Sequence, residues 1–191
     1  GDGRLSYCLK SCGLDGEDGK TSATVDGLFD TYSDYGGFYI SYMCVSSDGS
    51  IFLGTDTEVL ALSSDFVKKF SLTTYNYITA MSLSNTGEVY IASFFENGSG
   101  IAKVDEETKA LSDPIYPGDK VRQIFFGDGY DLYLTQDDGF YGCTVTENGC
   151  EVEMLMNYTS SDSTADSFTI VSVIDKDTVF GYEYGSDSYI P

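Results

Sequence analysis

The chain is 191 residues long, 41% hydrophobic and 15% aromatic, enough apolar material for one good core and too much for a disordered segment. Its 31 acidic residues against 10 basic ones give a net charge of −21, which makes nucleic acid and anionic membrane surfaces poor partners. Histidine and tryptophan are both absent, so Ser-His and Cys-His catalytic pairs and the commonest zinc ligand are excluded, and a strong sugar-stacking platform is disfavoured.

Taken in chain order, the N-terminal RLSYCLK reads as strand material. Residues 13–38 are dense in Gly and Asp, resist strand assignment, and are expected to form a long loop with a short helix around Val25 to Tyr32. Within it DGEDG, from Asp15 to Gly19, has the oxygen-rich composition of a calcium loop. The EF-hand register of alternating acids, a sixth-position Gly and a twelfth-position Glu fails there, so no metal site is assigned.

From residue 43 onward the chain repeats itself. The segments MCVSSDGSIFLGT, MSLSNTGEVYIAS, QIFFGDGYDLYLT and VSVIDKDTVFGYE each read as an apolar strand, a tight turn and a second apolar strand. Their turns carry Asp48-Gly49, Thr86-Gly87, Asp128-Gly129 and Lys176-Asp177, residue types that tolerate the positive φ of a hairpin. Between the hairpins lie EVLALSSDFVKKFSL, GIAKVDEETKALSDPI and GFYGCTVTENGCEVEMLM, each again strand, polar turn, strand. Val59, Ala61 and Phe66, and likewise Ile101, Val104 and Leu111, fall where third and fourth strands would place core residues. Helical periodicity is nowhere sustained.

A period of about 40 residues with four short strands per unit predicts an all-β, propeller-like domain over residues 1–191, built of about four blades of four antiparallel strands. The last unit supplies two strands, FTIVSVI and TVFGYEY, and the N-terminal strand is expected to complete it, closing a four-unit ring; a sector of a larger ring is the alternative. The opening GDGRLSYC lacks a basic region followed by an apolar one, and the closing GSDSYIP stops as a strand begins, so the chain reads as a piece of a longer protein. No apolar run approaches the ~18 residues of a membrane-spanning helix.

The candidate recognition residues are Tyr32, Tyr35, Phe38 and Tyr39, an aromatic cluster with Tyr42 close by, because tyrosine presents a flat apolar ring and a hydroxyl together. The competing reading packs Tyr39 and Tyr42 into the core on a strand. Five cysteines cannot all pair within one chain. Cys143 and Cys150 flank a turn and are candidates for a local disulfide in an oxidising compartment, with buried free thiols as the other reading. No catalytic residue, metal ligand or cofactor site stands out, and no carboxylate pair is singled out among so many acids.

At DGSIFLGT, TGEVYIAS and GYDLYLT the chain resembles the loosely repeated blades of YncE-like, NHL-like and two-component-regulator propellers. The stretch EVEMLMNYTSSDSTADSFTIVSVIDKDTVFGYEY resembles the propeller-like N-terminal region of lipoproteins from gut Clostridia that precedes an extracellular solute-binding domain. Met154-Leu155-Met156-Asn157-Tyr158 stands where that family has a Leu-Leu-Asn-Trp-like segment, with Tyr for Trp. The resemblance covers most of the chain at the level of blades and carries over no catalytic residue. It implies an exported, surface-attached module that helps capture a small molecule, a glycan or a protein. The expectation is a non-enzymatic extracellular binding module; the alternatives are a polysaccharide-acting enzyme using paired carboxylates, and a structural unit assembling as a homodimer.

Overall fold

The computed structural model describes residues 10–12, 18–21, 39–74, 76–147, 149–158 and 168–183. Strands β1 (Lys10–Cys12) and β2 (Asp18–Thr21) form a two-stranded antiparallel sheet. The stretch read as a loop over 13–38 therefore contains a strand at Asp18–Thr21: a short polar segment can pair where hydrogen bonding to a neighbour, rather than apolar alternation, sets its conformation. The helix expected around Val25 to Tyr32 lies outside the described residues.

The repeats become three sheets of four strands, each strand antiparallel to the next in sequence. The first holds β3 (Tyr42–Val45), β4 (Ile51–Gly54), β5 (Glu58–Leu62) and β6 (Lys68–Thr73). The second holds β7 (Ile78–Leu83), β8 (Val89–Phe95), β9 (Gly98–Asp105) and β10 (Ala110–Leu111). The third holds β11 (Gln123–Phe125), β12 (Leu132–Thr135), β13 (Gly139–Thr146) and β14 (Gly149–Asn157). A final hairpin, β15 (Phe168–Asp175) with β16 (Thr178–Glu183), forms a sheet of two. The fold is thus all-β, made of blade-like antiparallel units.

The hairpin turns repeat at the level of individual bonds. Ser46 N–H donates to Ser50 O (2.9 Å) and Gly49 N–H to Ser46 O (2.9 Å), while Ser84 N–H donates to Glu88 O (2.8 Å) and Gly87 N–H to Ser84 O (3.0 Å). Gly49 (φ +83°) and Gly87 (φ +87°) occupy the same left-handed position, which a side chain would strain. The third turn is wider. Asp128 and Asp175 form a parallel bridge, with Asp128 N–H donating to Ile174 O (2.8 Å), and Gly127 passes so close that a Cβ there would lie 2.8 Å from that same oxygen.

The sheets stack face against face, and this explains the unbroken apolar runs. Leu132 and Leu134 point into the cluster shared with Ala80, Ala92 and Ile101 of the second sheet, while Tyr133 between them points into the cluster shared with Ile170 and Val173 of the last hairpin. Phe52, Val59, Ala61 and Phe70 of the first sheet meet Ile78, Val89, Ile91 and Val104 of the second. Leu53, Leu60 and Leu62, on the opposite face of the first sheet, are wholly buried as well. First strands sit side by side, β3 against β7 and β7 against β11.

Val59, Ala61, Ile101 and Val104 are core residues, and Leu111 packs against the core from its edge. Phe66 is not on a strand. It sits in the turn between β5 and β6 at φ +63°, its N–H donating to Ser63 O (2.9 Å), and Phe70 takes the core position opposite Ala61. The turn is longer than read because Ser63 accepts and donates across the whole of Ser63–Val67, through its carbonyl and hydroxyl as well as its own N–H to Val67 O.

Two outcomes follow from this packing. Leu134→Ala should destabilise the fold by about 2–5 kcal/mol, read as a drop in the urea midpoint, whereas Val67→Ala on the exposed turn should stay within about 0.5 kcal/mol of wild type. Asp48 accepts hydrogen bonds from the Ser46 hydroxyl, from Ser50 N–H (2.9 Å) and from the Ser50 hydroxyl (2.8 Å), led by Ser46, and these hold its carboxyl down at about 2 against the ordinary 3.8. Because the folded value is the lower one, its stabilising contribution is whole above the ordinary value, shrinks as pH falls, and is gone below about 2. Chemical denaturation between pH 5 and pH ~2 should show that part of the acid sensitivity removed in Asp48→Asn.

Candidate functional site

Of the aromatic residues singled out in the sequence, Tyr32, Tyr35 and Phe38 lie outside the described residues. Tyr39 precedes β3 and is 58% exposed. Tyr42 is half-buried on β3, packs against the core between the first two sheets, and donates its hydroxyl proton to Ile78 O (3.3 Å). Burial, and then the nearby Asp56 carboxylate, push its phenol upward, so Tyr42 follows the packing reading. Cys143 and Cys150 are joined by a disulfide with Cα atoms 6.3 Å apart. The register explains it: Cys143 stands opposite Val152 and Cys150 opposite Val145, so the two thiols are diagonal neighbours on one face of the β13–β14 ladder.

A concavity lies elsewhere, between the end of β6 and the second sheet, as a half-open cleft of about 740 Å³. That volume falls in the range of small-molecule sites. Leu72 and Leu111 contribute apolar surface, and Phe94, Phe95 and Tyr116 contribute rings. Phe94 is 39% exposed, a considerable area for a phenyl group at the end of a strand. Phe95 and Tyr116 meet edge to face with centroids 6.5 Å apart.

The frame around these rings is fixed by hydrogen bonds to backbone carbonyls. Asn76 Nδ2 donates to Phe94 O (2.8 Å), Ser93 Oγ donates to Asn76 O (3.2 Å) and Tyr77 O (3.0 Å), and Thr74 Oγ1 donates to Asn76 O (2.7 Å). The link between the first and second sheets is thereby fastened to the end of β8. On the other side Ile101 and Ile115 exchange both backbone bonds (2.8 and 2.9 Å), which holds Pro114 and Tyr116 beside β9. Gly100 makes that approach possible, since a Cβ would stand 3.0 Å from Ile115 O and from the Phe95 ring. The cleft exists because β10 is two residues long where β6 has six and β14 nine. The second sheet gives out early at its outer edge and leaves space beside β6.

Among the described residues two charged ones line this cleft, Glu96 in the β8–β9 turn and Lys109 in the β9–β10 turn. Lys109 adopts φ +54°, a left-handed conformation that closes a turn in which Asp105 Oδ1 accepts the N–H groups of Glu107 (2.8 Å) and Thr108 (3.0 Å). Among the described residues no group of His, Cys, Asp and Glu is arranged to hold a metal ion. Sequence reasoning passed over Phe94 and Phe95. Their signal was the adjacent pair itself in IASFFENGSG: on a strand of period two they cannot both face the same core.

No family profile matches the chain, and no curated protein does. Among solved structures, a catalytically inactive virginiamycin B lyase from Staphylococcus aureus with quinupristin is similar at 15% identity, over 81% of this chain and 50% of that one, with a TM-score of 0.55. Dihydro-heme d1 dehydrogenase NirN in complex with DHE is similar at 11% identity, over 81% of this chain and 34% of that one, with a TM-score of 0.51. The Neurospora crassa Pan2 WD40 domain matches at 12% identity over 60% of this chain and 36% of its own, with a TM-score of 0.47. The chain therefore spans between about a third and a half of these proteins. At such identities the likeness to the lyase and the dehydrogenase is one of fold.

Cys44 offers a check on the packing around β3. It is a free, half-buried thiol whose pKa burial pushes up to about 11. At pH 8 only about one thiol in a thousand would be ionised. Alkylation of Cys44 by iodoacetamide, followed by mass spectrometry, should be slow in the native protein and should accelerate with pH toward 11 or on unfolding.

Proposed function

We propose that this chain is a non-enzymatic, extracellular ligand-binding module of propeller type, and that the cleft beside Phe94 and Tyr116 is its binding site. The observation that carries the reading is the cleft itself. It combines accessible aromatic rings, a frame pinned by side-chain hydrogen bonds to the backbone, and a volume suited to a small ligand or the end of a larger one. Face-to-face stacking of successive antiparallel sheets, with first strands side by side, supports the propeller arrangement. In a closed four-unit ring β1 and β2 would join β15 and β16, since each of these two sheets has half the strands of the others. The Cys143–Cys150 disulfide supports an oxidising, extracellular setting. Solute capture on behalf of a larger surface protein is the role that fits these features together.

The test is a thermal-shift panel of glycans, peptides and small metabolites on the wild-type protein and on Phe94→Ala and Tyr116→Ala. At least one class should raise the melting temperature of the wild type, and both substitutions should diminish that rise. A ligand whose stabilisation is untouched by either substitution would place the binding site elsewhere.

A further inference from the structure

We propose that the cleft takes a short peptide with both ends free, of two or three residues and aromatic in character, its ammonium held by Glu96 and its carboxylate by Lys109. This rests on the reading of the cleft as a ligand site and names the ligand class.

The argument begins with charge. In a chain with 31 acids and 10 bases, a basic side chain normally finds a carboxylate, and Lys69, Lys103, Arg122 and Lys176 pair with Glu106, Glu88, Asp137 and Asp177. Lys109 does not. It lines the cleft together with Glu96, and among the described residues neither forms an ion pair, so the two charges stand more than 4.0 Å apart across the same opening. Opposite charges presented separately at one aromatic cleft match a ligand that carries both signs.

The field of the whole chain points the same way. A net charge of −21 disfavours any ligand with excess negative charge, whereas a zwitterion carries none, and Lys109 supplies the local positive potential that its carboxylate needs. The rings of Phe94, Phe95 and Tyr116 stand ready for aromatic side chains, with Leu72 and Leu111 as further apolar surface. Size then selects within the class. A cleft of about 740 Å³ is roomy for a single amino acid and suits a dipeptide or tripeptide.

The experiment uses the dipeptide phenylalanyl-tyrosine in four forms: both ends free, N-acetylated, C-amidated, and blocked at both ends. Each is titrated calorimetrically into the wild-type protein, Glu96→Gln and Lys109→Asn, asparagine being chosen because it tolerates the left-handed backbone at that position. Both side chains are exposed, so both variants should melt with the wild type. The free dipeptide should bind best, with blocking either end weakening it roughly three- to fivefold, the scale of a solvent-accessible ion pair. Glu96→Gln should abolish the penalty for N-acetylation alone, and Lys109→Asn the penalty for C-amidation alone. Four equal affinities would overturn the zwitterion inference while leaving the cleft as a ligand site. A preference for free ends that survives both substitutions would overturn it too. Absence of binding by all four forms at millimolar concentration would overturn it as well, the cleft itself then being judged by the response of the wider panel to Phe94→Ala.

Discussion

Each of the three four-stranded sheets in this protein is apolar on both faces, and a sheet apolar on both faces has to be covered twice. That requirement organises the rest. β12 shows it within four residues, where Leu132 and Leu134 go to the neighbour on one side and Tyr133 to the neighbour on the other. On β4 Phe52 and Leu53 likewise part to opposite faces, Phe52 into the cluster shared with the second sheet and Leu53 into a cluster with Leu60 and Leu62. Hydrophobic burial contributes roughly 25 cal/mol per Å² of apolar surface, and a stack satisfies both faces of every interior member with one repeated contact. The layers between the sheets mix small, branched and flat side chains. Ala80 and Ala92 lie between the second and third sheets, and the Tyr133 and Phe140 rings stack at 5.6 Å between the third sheet and the last hairpin.

Stacking also determines where space is left over. First strands sit side by side and are held by the full cluster of core residues, whereas outer strands diverge and depend on their own length to fill the gap. In the third sheet β14 runs for nine residues, whereas in the second β10 stops after two and the chain turns away into Ser112, Pro114 and Tyr116. The cleft is therefore a consequence of one truncated edge strand, with Gly100 permitting the replacement segment to lie against Phe95. The charges at the cleft reach it from turns, where long polar side chains cost the fold little. A cleft built in this way can change its lining by altering turn residues while the stacked interior stays as it is.

The hairpins were legible in the sequence because their chemistry is local. Asp48-Gly49 and Thr86-Gly87 fix a backbone that only a few residue types adopt, and the strands on either side follow. Asp18–Thr21 and Phe66 were misread for the complementary reason. A polar strand is defined by the partner it bonds to, and a bulky residue beside Ser63-Ser64-Asp65 can serve the turn as well as the strand that follows. At the cleft, Phe94-Phe95 carried a trace in the sequence, while Glu96 and Lys109 carried none. They are separated by a whole strand, and their common exposure to one opening arises only when β8, β9 and β10 are laid side by side.

The sequence by itself determined that this protein is all-β, that its strands come in repeated antiparallel units, and that its surface is acidic, since alternation, turn chemistry and net charge are properties of neighbouring residues and of composition. Only the tertiary structure decided which face of each strand meets which sheet, that Cys143 and Cys150 stand diagonally on one ladder, and that the aromatic cleft opens beside β10. Those depend on register and on relative strand length, and both are settled by packing between segments distant in the chain.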